Sequence, residues 1–429
     1  MRESARQARE ARCAMSGEAV EKSERAARAT GEGSAVTRPR PAYGRNFWTV
    51  FAASFALNSA ANLFVLFPLF VVELGGGATA IGAIVGTGSL AALLARPGAG
   101  FAIDRRGRKW TALWCLVLDA FAIALYLPIK GLGWSIYTVR MVHGAIEGTA
   151  RVALFAMVYD ILPEGRQGEG MSIFSLCGMG SAVFGPFLGE MLIRHTGFEG
   201  FFLASVALVA ISAFTTSTLP NDGRLAQSAA GDENNAVVGY GAMLADRRLR
   251  PLWIVTLLFS LAISSRGSFL APIAYARGIR DVAVYFAIYS VTAVAARLAT
   301  GRVIDRIGLG RMIVPSLVTL GVGLGLVAAT GHAGMLDLAA FFGGVGHGYL
   351  YPALSGLVIS RTAENAMARS STIYTSLFDL GAMAGPYVLG MVGEYAGYGT
   401  VFVVAGMFTI AAAGYFLCAE PGAIRRRLA

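Results

Sequence analysis

From residue 46 onward, long runs of apolar side chains alternate with short breaks rich in glycine, proline or arginine. The hydrocarbon core of a bilayer is about 30 Å thick and takes about 20 mostly apolar residues per helix. That ruler predicts spans at 47–72, 79–103, 110–129, 134–161, 170–193 and 198–219. After a polar stretch, six more follow at 252–275, 282–303, 312–330, 335–360, 371–393 and 399–419. The predicted fold class is an all-α membrane protein of twelve transmembrane helices, six plus six, numbered here as spans 1 to 12. The expected organisation is an N-terminal tail over 1–45, a six-helix bundle over 46–219, a linker over 220–250, a second bundle over 251–420 and a basic tail over 421–429.

The two halves repeat each other at a distance of about 200 residues. Ala95-Arg96 followed by Gly100 and Asp104-Arg105 is answered by Ala296-Arg297 followed by Gly301 and Asp305-Arg306. Gly185-Pro186 with Gly189 is answered by Gly385-Pro386 with Gly390. A duplicated membrane chain of this kind is built like a secondary transporter, with its site between the halves.

Composition agrees. The chain is 55% hydrophobic and 14% charged, with 54 glycines that suit helices packed closely in lipid. Cys13, Cys115, Cys177 and Cys418 show no ligand spacing and read as small packing residues. The tail over 1–45 is rich in Arg, Glu, Ala and Ser and reads as disordered. It carries no apolar h-region, so it is no signal peptide; its glutamates argue against a transit peptide, and Met15 offers a second start.

The net charge is +10, and the basic residues cluster in the tail and in alternate loops, a distribution that argues against a nucleic-acid surface. One set of loops holds Arg105-Arg106-Arg108-Lys109, Arg166, Arg247-Arg248-Arg250, Arg306, Arg311, Arg361, Arg369 and Arg425-Arg426-Arg427. The other holds little beyond Lys130, Arg194, Arg277 and Arg280. The excess of positive charge predicts a cytoplasmic location for both termini and the central linker. In that linker Ala242 to Leu249 reads as a short surface helix, and Asp232-Glu233 forms an acidic patch.

The loop between spans 2 and 3 reads Gly100, Asp104, Arg105, Gly107, Arg108, Lys109, with a weaker copy at Gly301, Asp305 and Arg306. This resembles the signature G-x-L-x-D-R-x-G-R-R/K of the major facilitator superfamily, with Ala102 in place of the leucine. The resemblance covers about 46 to 419 and implies two pseudo-symmetric six-helix bundles around a central cavity, in a protein that works as a monomer. Its glycines permit close helix approach, and its aspartates sit at helix ends where they accept charge-assisted bonds. A conformation-dependent latch is therefore expected, with Asp160 as partner for Arg105 or Arg108. The alternative, that these charges only fix topology, is weaker because acidic residues add little to topology. A second family signature, G-x-x-x-G-P-x-x-G-G in span 5 of antiporters, is met by Gly185, Pro186 and Gly189, with Ser181 and Glu190 replacing its first and last glycines. Span 11 matches it with Gly381, Gly385, Pro386 and Gly390, departing at Leu389. These are predicted kinks on packing faces, and in the family they accompany export by exchange.

Span 4 carries the family's R-x-x-x-G as Arg140 to Gly144. At about 100° per residue, Arg140, Glu147 and Arg151 share a narrow arc with His143 beside it. Charges near the bilayer middle face a protein interior or a wet cavity, so these four are candidate coupling groups, against the alternative of an ion-pair stripe that only packs helices. Aligning Gly144 with Gly344 sets Glu147 opposite His347, and Arg151 opposite Tyr351. In the family fold spans 1, 4, 7 and 10 line the cavity, so Glu147 and His347 would face it from opposite halves. Glu147 is the expected protonation site; His347 serves equally well as a packing residue. Arg266 lies deep in span 7 and must meet water, a partner or an anion. Asn58 and Asn62 share one face of span 1, where interhelical hydrogen bonding is their commoner use. Asp379 in span 11 is expected in gating or proton release, and Asp119 in span 3 reads as readily as a structural partner.

The sequence thus predicts a proton-coupled exporter of a small organic molecule, anionic or zwitterionic, in the inner membrane. Its partners are that cargo, protons and lipid. The runner-up is a proton symporter importing an organic acid or sugar. No metal-ligand spacing, nucleophile motif or phosphate-cradling loop marks an enzyme or a cofactor.

Overall fold

The computed structural model describes residues 43–162, 166–221, 240–363 and 366–420, apart from the side chains of residues 168, 302, 305 and 368. The tail before 43, the acidic patch Asp232-Glu233, the basic tail over 421–429 and the side chain of Asp305 lie outside the described residues.

Eight helices among the described residues are long and apolar enough to cross a membrane. Two of these are double length. Gln167–Ser217 and Met367–Ala419 each contain one non-helical residue, Gly197 at φ 66° and Gly397 at φ 80°. Asn62 of span 1 meets Ser181 while Ala53 of the same span meets Ser212, so the segments before and after Gly197 fold back on each other. Two further helices complete twelve spans. Arg108–Ala124 is extended by turns to Ile129, and Ala333–Ser360 is diluted by its many glycines.

The duplication is written in the backbone. Positive φ occurs among the described residues at six glycines, which fall into the pairs Gly75 and Gly278, Gly107 and Gly308, Gly197 and Gly397. At Gly107 and Gly308 (both φ 82°) one residue separates consecutive helices, a geometry that a side chain makes costly.

The halves differ in their first span. Span 7 is a single helix, Arg250–Ala276. Span 1 is Arg45–Leu63, a 3-10 turn Phe64–Leu66, and a second helix Phe67–Glu73 with Pro68 in its first turn. The break falls where Phe64 of span 1 meets His143 of span 4, and a proline alone does not account for it, because span 7 runs unbroken through Pro272. A short helix lies near the expected one, over Tyr240–Ala245 and not as far as Leu249, with Met243 buried and its carbonyl accepting from Trp253 Nε1 at 3.2 Å.

Within the first half span 1 packs on spans 5 and 6, span 2 on span 4, and span 3 on spans 4 and 6. The second half repeats this with span 7 on 11 and 12, span 8 on 10, and span 9 on 10 and 12. Glycines set these approaches. A Cβ at Gly144 would meet the Gly88 Cα at 2.9 Å, and one at Gly348 would meet the Ala293 Cα at 2.9 Å. Helix lines this close gain dispersion contact where lipid offers no hydrophobic drive. The helix runs on through Pro186 and Pro386, whose neighbours Gly185 and Gly385 pack on Asn62 of span 1 and Ser264 of span 7.

The halves meet where span 2 packs on span 11 and span 5 on span 8. Toward the chain end distant from the termini the fit is tight: a Cβ at Gly82 would lie 2.9 Å from the Pro386 carbonyl carbon and 3.2 Å from the Gly390 Cα. Toward the termini it is loose, with nothing within 4 Å of a Cβ at Gly98, Gly100 or Gly301. Among the described residues the halves are therefore in close contact at one end, and no such close contact is made by these glycines at the end bearing the arginine-rich loops.

Candidate functional site

A cavity of about 270 Å³ lies between spans 2, 4 and 11 and is lined by Arg96, Arg140, Glu147, Arg151 and Asp379 with glycines 88, 144 and 148. The small residues that let span 4 approach span 2 thus also leave room for charge. A second, more apolar cavity of about 220 Å³ opens between spans 1, 4 and 5, with Asn58 and Phe155 in its wall. Arg151 borders both.

Span 4 supplies the densest polar cluster. Arg151 forms an ion pair with Glu147 one turn away. His143 is buried at 2% exposure, with Nδ1 3.3 Å from the Tyr126 hydroxyl and 3.4 Å from Arg140 Nη1. Its Nε2 lies 3.6 Å from Asp119 and 4.0 Å from Glu147. Arg140 makes no ion pair among the described residues; its guanidinium is 5.5 Å and 5.3 Å from the rings of Phe64 and Phe67, at the break in span 1. Aromatic faces stabilise a cation without neutralising it.

The second half answers with Arg266. Its guanidinium lies 4.4 Å over Tyr289 and 5.4 Å from Phe286, its Nε is buried without a hydrogen-bond partner, and it too makes no ion pair among the described residues. His347 is engaged by the Tyr289 hydroxyl at 2.9 Å and borders neither of the two cavities just described. Asn62 is turned into the seam with span 5, bonding the Asn58 carbonyl at 2.8 Å and Ser181 Oγ at 3.2 Å. Asn58 bonds the Ser54 carbonyl at 2.7 Å.

At the arginine-rich end, Arg108 donates to the Ala156 carbonyl at 3.0 Å and pairs with Asp160, both within the first half. Lys109 reaches the Leu219 carbonyl and, at 3.2 Å, Asn221. Asp104 and Arg105 are exposed, Arg105 lying over Phe101 at 4.6 Å, and Arg306 is exposed.

Residues outside the predicted set also join the halves. Arg96 of span 2 pairs with Asp379 of span 11 beside the cavity; its only trace in the sequence is the repeated Ala-Arg pair, whose other arginine, Arg297, lies 5.6 Å from Tyr351 instead. Glu190 accepts from the Ala283 amide at 2.7 Å, at the start of span 8, and from Arg194 at 2.8 Å. Arg194 in turn reaches Asp281 at 2.7 Å. Glu394 accepts from the Thr79 amide at 3.0 Å, at the start of span 2. A carboxylate on a helix N-terminus satisfies free N–H groups and opposes the helix dipole. The end in close contact, the closed end, is therefore fastened by two pseudo-symmetric latches. The glutamate at the last glycine of the span 5 motif is the signal for one; nothing local marks the other.

Two duplicated bundles with a charge-lined cavity between them are the build of a membrane transporter. The profile of the Major Facilitator Superfamily matches residues 49–285 and 278–427, and the chain belongs to that family. It is 22% identical over 368 residues to the staphylopine export protein of Staphylococcus aureus (strain Mu50), covering 83% of this chain and 90% of that one. It is 26% identical over 380 residues to the multidrug resistance protein MdtG of Salmonella arizonae, covering 84% and 91%. Among solved structures it superimposes on the nucleoside transporter NupG with TM-score 0.75 at 16% identity, covering 88% and 99%. A bacterial homologue of the human lysosomal transporter Spinster, in an inward-facing and unoccupied conformation, gives 0.69 at 14% identity, covering 90% and 99%.

Proposed function

We propose that the protein is a proton-coupled exporter of a small organic anion or zwitterion, working by alternating access in the inner membrane with both termini in the cytoplasm. The observation that carries this reading is the charge inventory of the cavity and its surroundings. Arg140 and Arg266 stand on opposite halves without an ion pair among the described residues, each beside aromatic faces, and Glu147 sits among arginines at the cavity wall. A cargo carboxylate would supply the missing countercharge, and the ion pairs around Glu147 would exchange it against a proton. The loosely packed end then faces the cytoplasm, in keeping with its arginine-rich loops. Export is favoured over uptake because the two relatives named above are an export protein and a multidrug resistance protein.

Glu147→Gln in proteoliposomes tests the coupling, with cargo first identified by thermal-shift screening at two pH values. Transport by the variant should no longer respond to a pH gradient. An unchanged response overturns the reading. A deletion strain that accumulates the compound indicates export, and one that fails to grow on it indicates uptake.

A further inference from the structure

Asp119 sits on span 3, behind His143 as seen from the cavity, and is fully buried. Neither of its carboxylate oxygens has a hydrogen-bond partner. An ionised carboxylate without donors, deep in a membrane protein, is among the costliest arrangements a fold can hold. Glu147, one side chain away, is satisfied by Arg151.

The histidine between them has a definable tautomer. Arginine can only donate, so the contact from Arg140 makes Nδ1 an acceptor and leaves the ring proton on Nε2. That one N–H then faces two acids, Asp119 at 3.6 Å and Glu147 at 4.0 Å. Two carboxyl groups share that donor and only Glu147 is paired with an arginine, so the one with the arginine ionises and the other keeps a proton.

Arg140, the other cation of the cluster, pairs with neither acid: its Nη1 lies against His143 Nδ1 at 3.4 Å and its guanidinium against the rings of Phe64 and Phe67. Cys115 and Tyr126 belong to span 3, and the Tyr126 hydroxyl is engaged by His143. Arg140, His143, Glu147 and Arg151 come from span 4. Span 6 packs along span 3 with Phe202 stacked on Tyr126 at 5.1 Å; within 198–217 its one ionisable side chain is Glu199, exposed at its start.

We propose that Asp119 is a second, buried proton site of the transporter, sharing a single proton with Glu147 under the control of Arg151. With Arg151 on Glu147, the proton rests on Asp119. When Arg151 is drawn away, the O–H bond on Asp119 breaks as one forms on Glu147, and His143 Nε2–H turns to the new Asp119 charge. The net charge of the cluster stays fixed, and the proton becomes exposed at the cavity wall. The inference deepens the coupling proposed above and rests on Glu147 being its outer member.

Infrared spectra of the full-length protein in lipid vesicles test this without cargo or gradient. At neutral pH the wild type should show the carbonyl band of a protonated carboxyl group that shifts on ¹³C-aspartate labelling and disappears in Asp119→Asn. In Arg151→Met the band should lose its sensitivity to labelled aspartate and gain sensitivity to labelled glutamate. Asp119→Asn should melt no lower than the wild type, because it removes a buried acid that no donor satisfies. The absence of a protonated-aspartate band in the wild type overturns the proposal, a measurement that stands even if the variant does not fold. So does a band that persists in Asp119→Asn. A negative result here beside a loss of pH response in Glu147→Gln sinks the inner site alone; the reverse pair of results sinks the coupling and leaves the site.

Discussion

Opening the closed end must undo the two carboxylate latches, and their strength can be worked from their surroundings. Glu190 is 6% exposed and binds both the Ala283 amide and Arg194. Glu394 is exposed and holds the Thr79 amide. Glutamine at either position keeps the shape and removes the charge. A carboxylate at a helix N-terminus contributes about 0.5 kcal/mol when exposed and about 1 kcal/mol when partly buried. The latches share no partner, so the two losses add. The double variant Glu190→Gln with Glu394→Gln should thus shift the closed-to-open ratio at this end by about 1.5 kcal/mol, roughly tenfold. Pulsed electron spin resonance reads that ratio directly. Labels at Trp134→Cys and Tyr395→Cys, exposed at 87% and 92% on opposite halves, report the distance across the closed end once the native cysteines are removed. Glu190→Gln alone should account for the larger part. An unchanged distance distribution in a folded double variant would refute the latch reasoning. So would an effect arising wholly from the exposed Glu394.

Gly82→Leu should force spans 2 and 11 apart at their tightest point, lowering the melting temperature by an overpacking cost of about 1–3 kcal/mol and biasing the same spin-label distances toward opening. Arg266→Lys should impair uptake of anionic cargo into proteoliposomes more than a change of charge would predict, because a compact ammonium does not stack on Tyr289 as a planar guanidinium does. Asp160→Asn should cost about 1 kcal/mol or less in thermal unfolding, since its pair with Arg108 is partly exposed and lies within one half.

Much of the architecture was legible in residue order. The twelve spans, their six-plus-six arrangement and the pairing of Gly144 with Gly344 all follow from local pattern, because a lipid-exposed backbone must satisfy its own hydrogen bonds and leaves helices as the economical answer. The arginine-rich loops and the charged arc of span 4 could be read in the same way. Which side chains meet could not. Helical periodicity places a residue on a face and is silent about the rotation of the neighbouring helix. That rotation turns Asn62 into the seam with span 5, sets His347 against Tyr289, and brings Asp119 to the back of His143. It likewise joins Arg96 to Asp379 and Glu394 to Thr79 across some 300 positions of chain. The sequence determined the helices and the charges they carry, because both are properties of consecutive residues. The tertiary structure decided which charges are satisfied and which are left wanting a partner, because pairing depends on the close approach of helices that glycine allows at a few crossings.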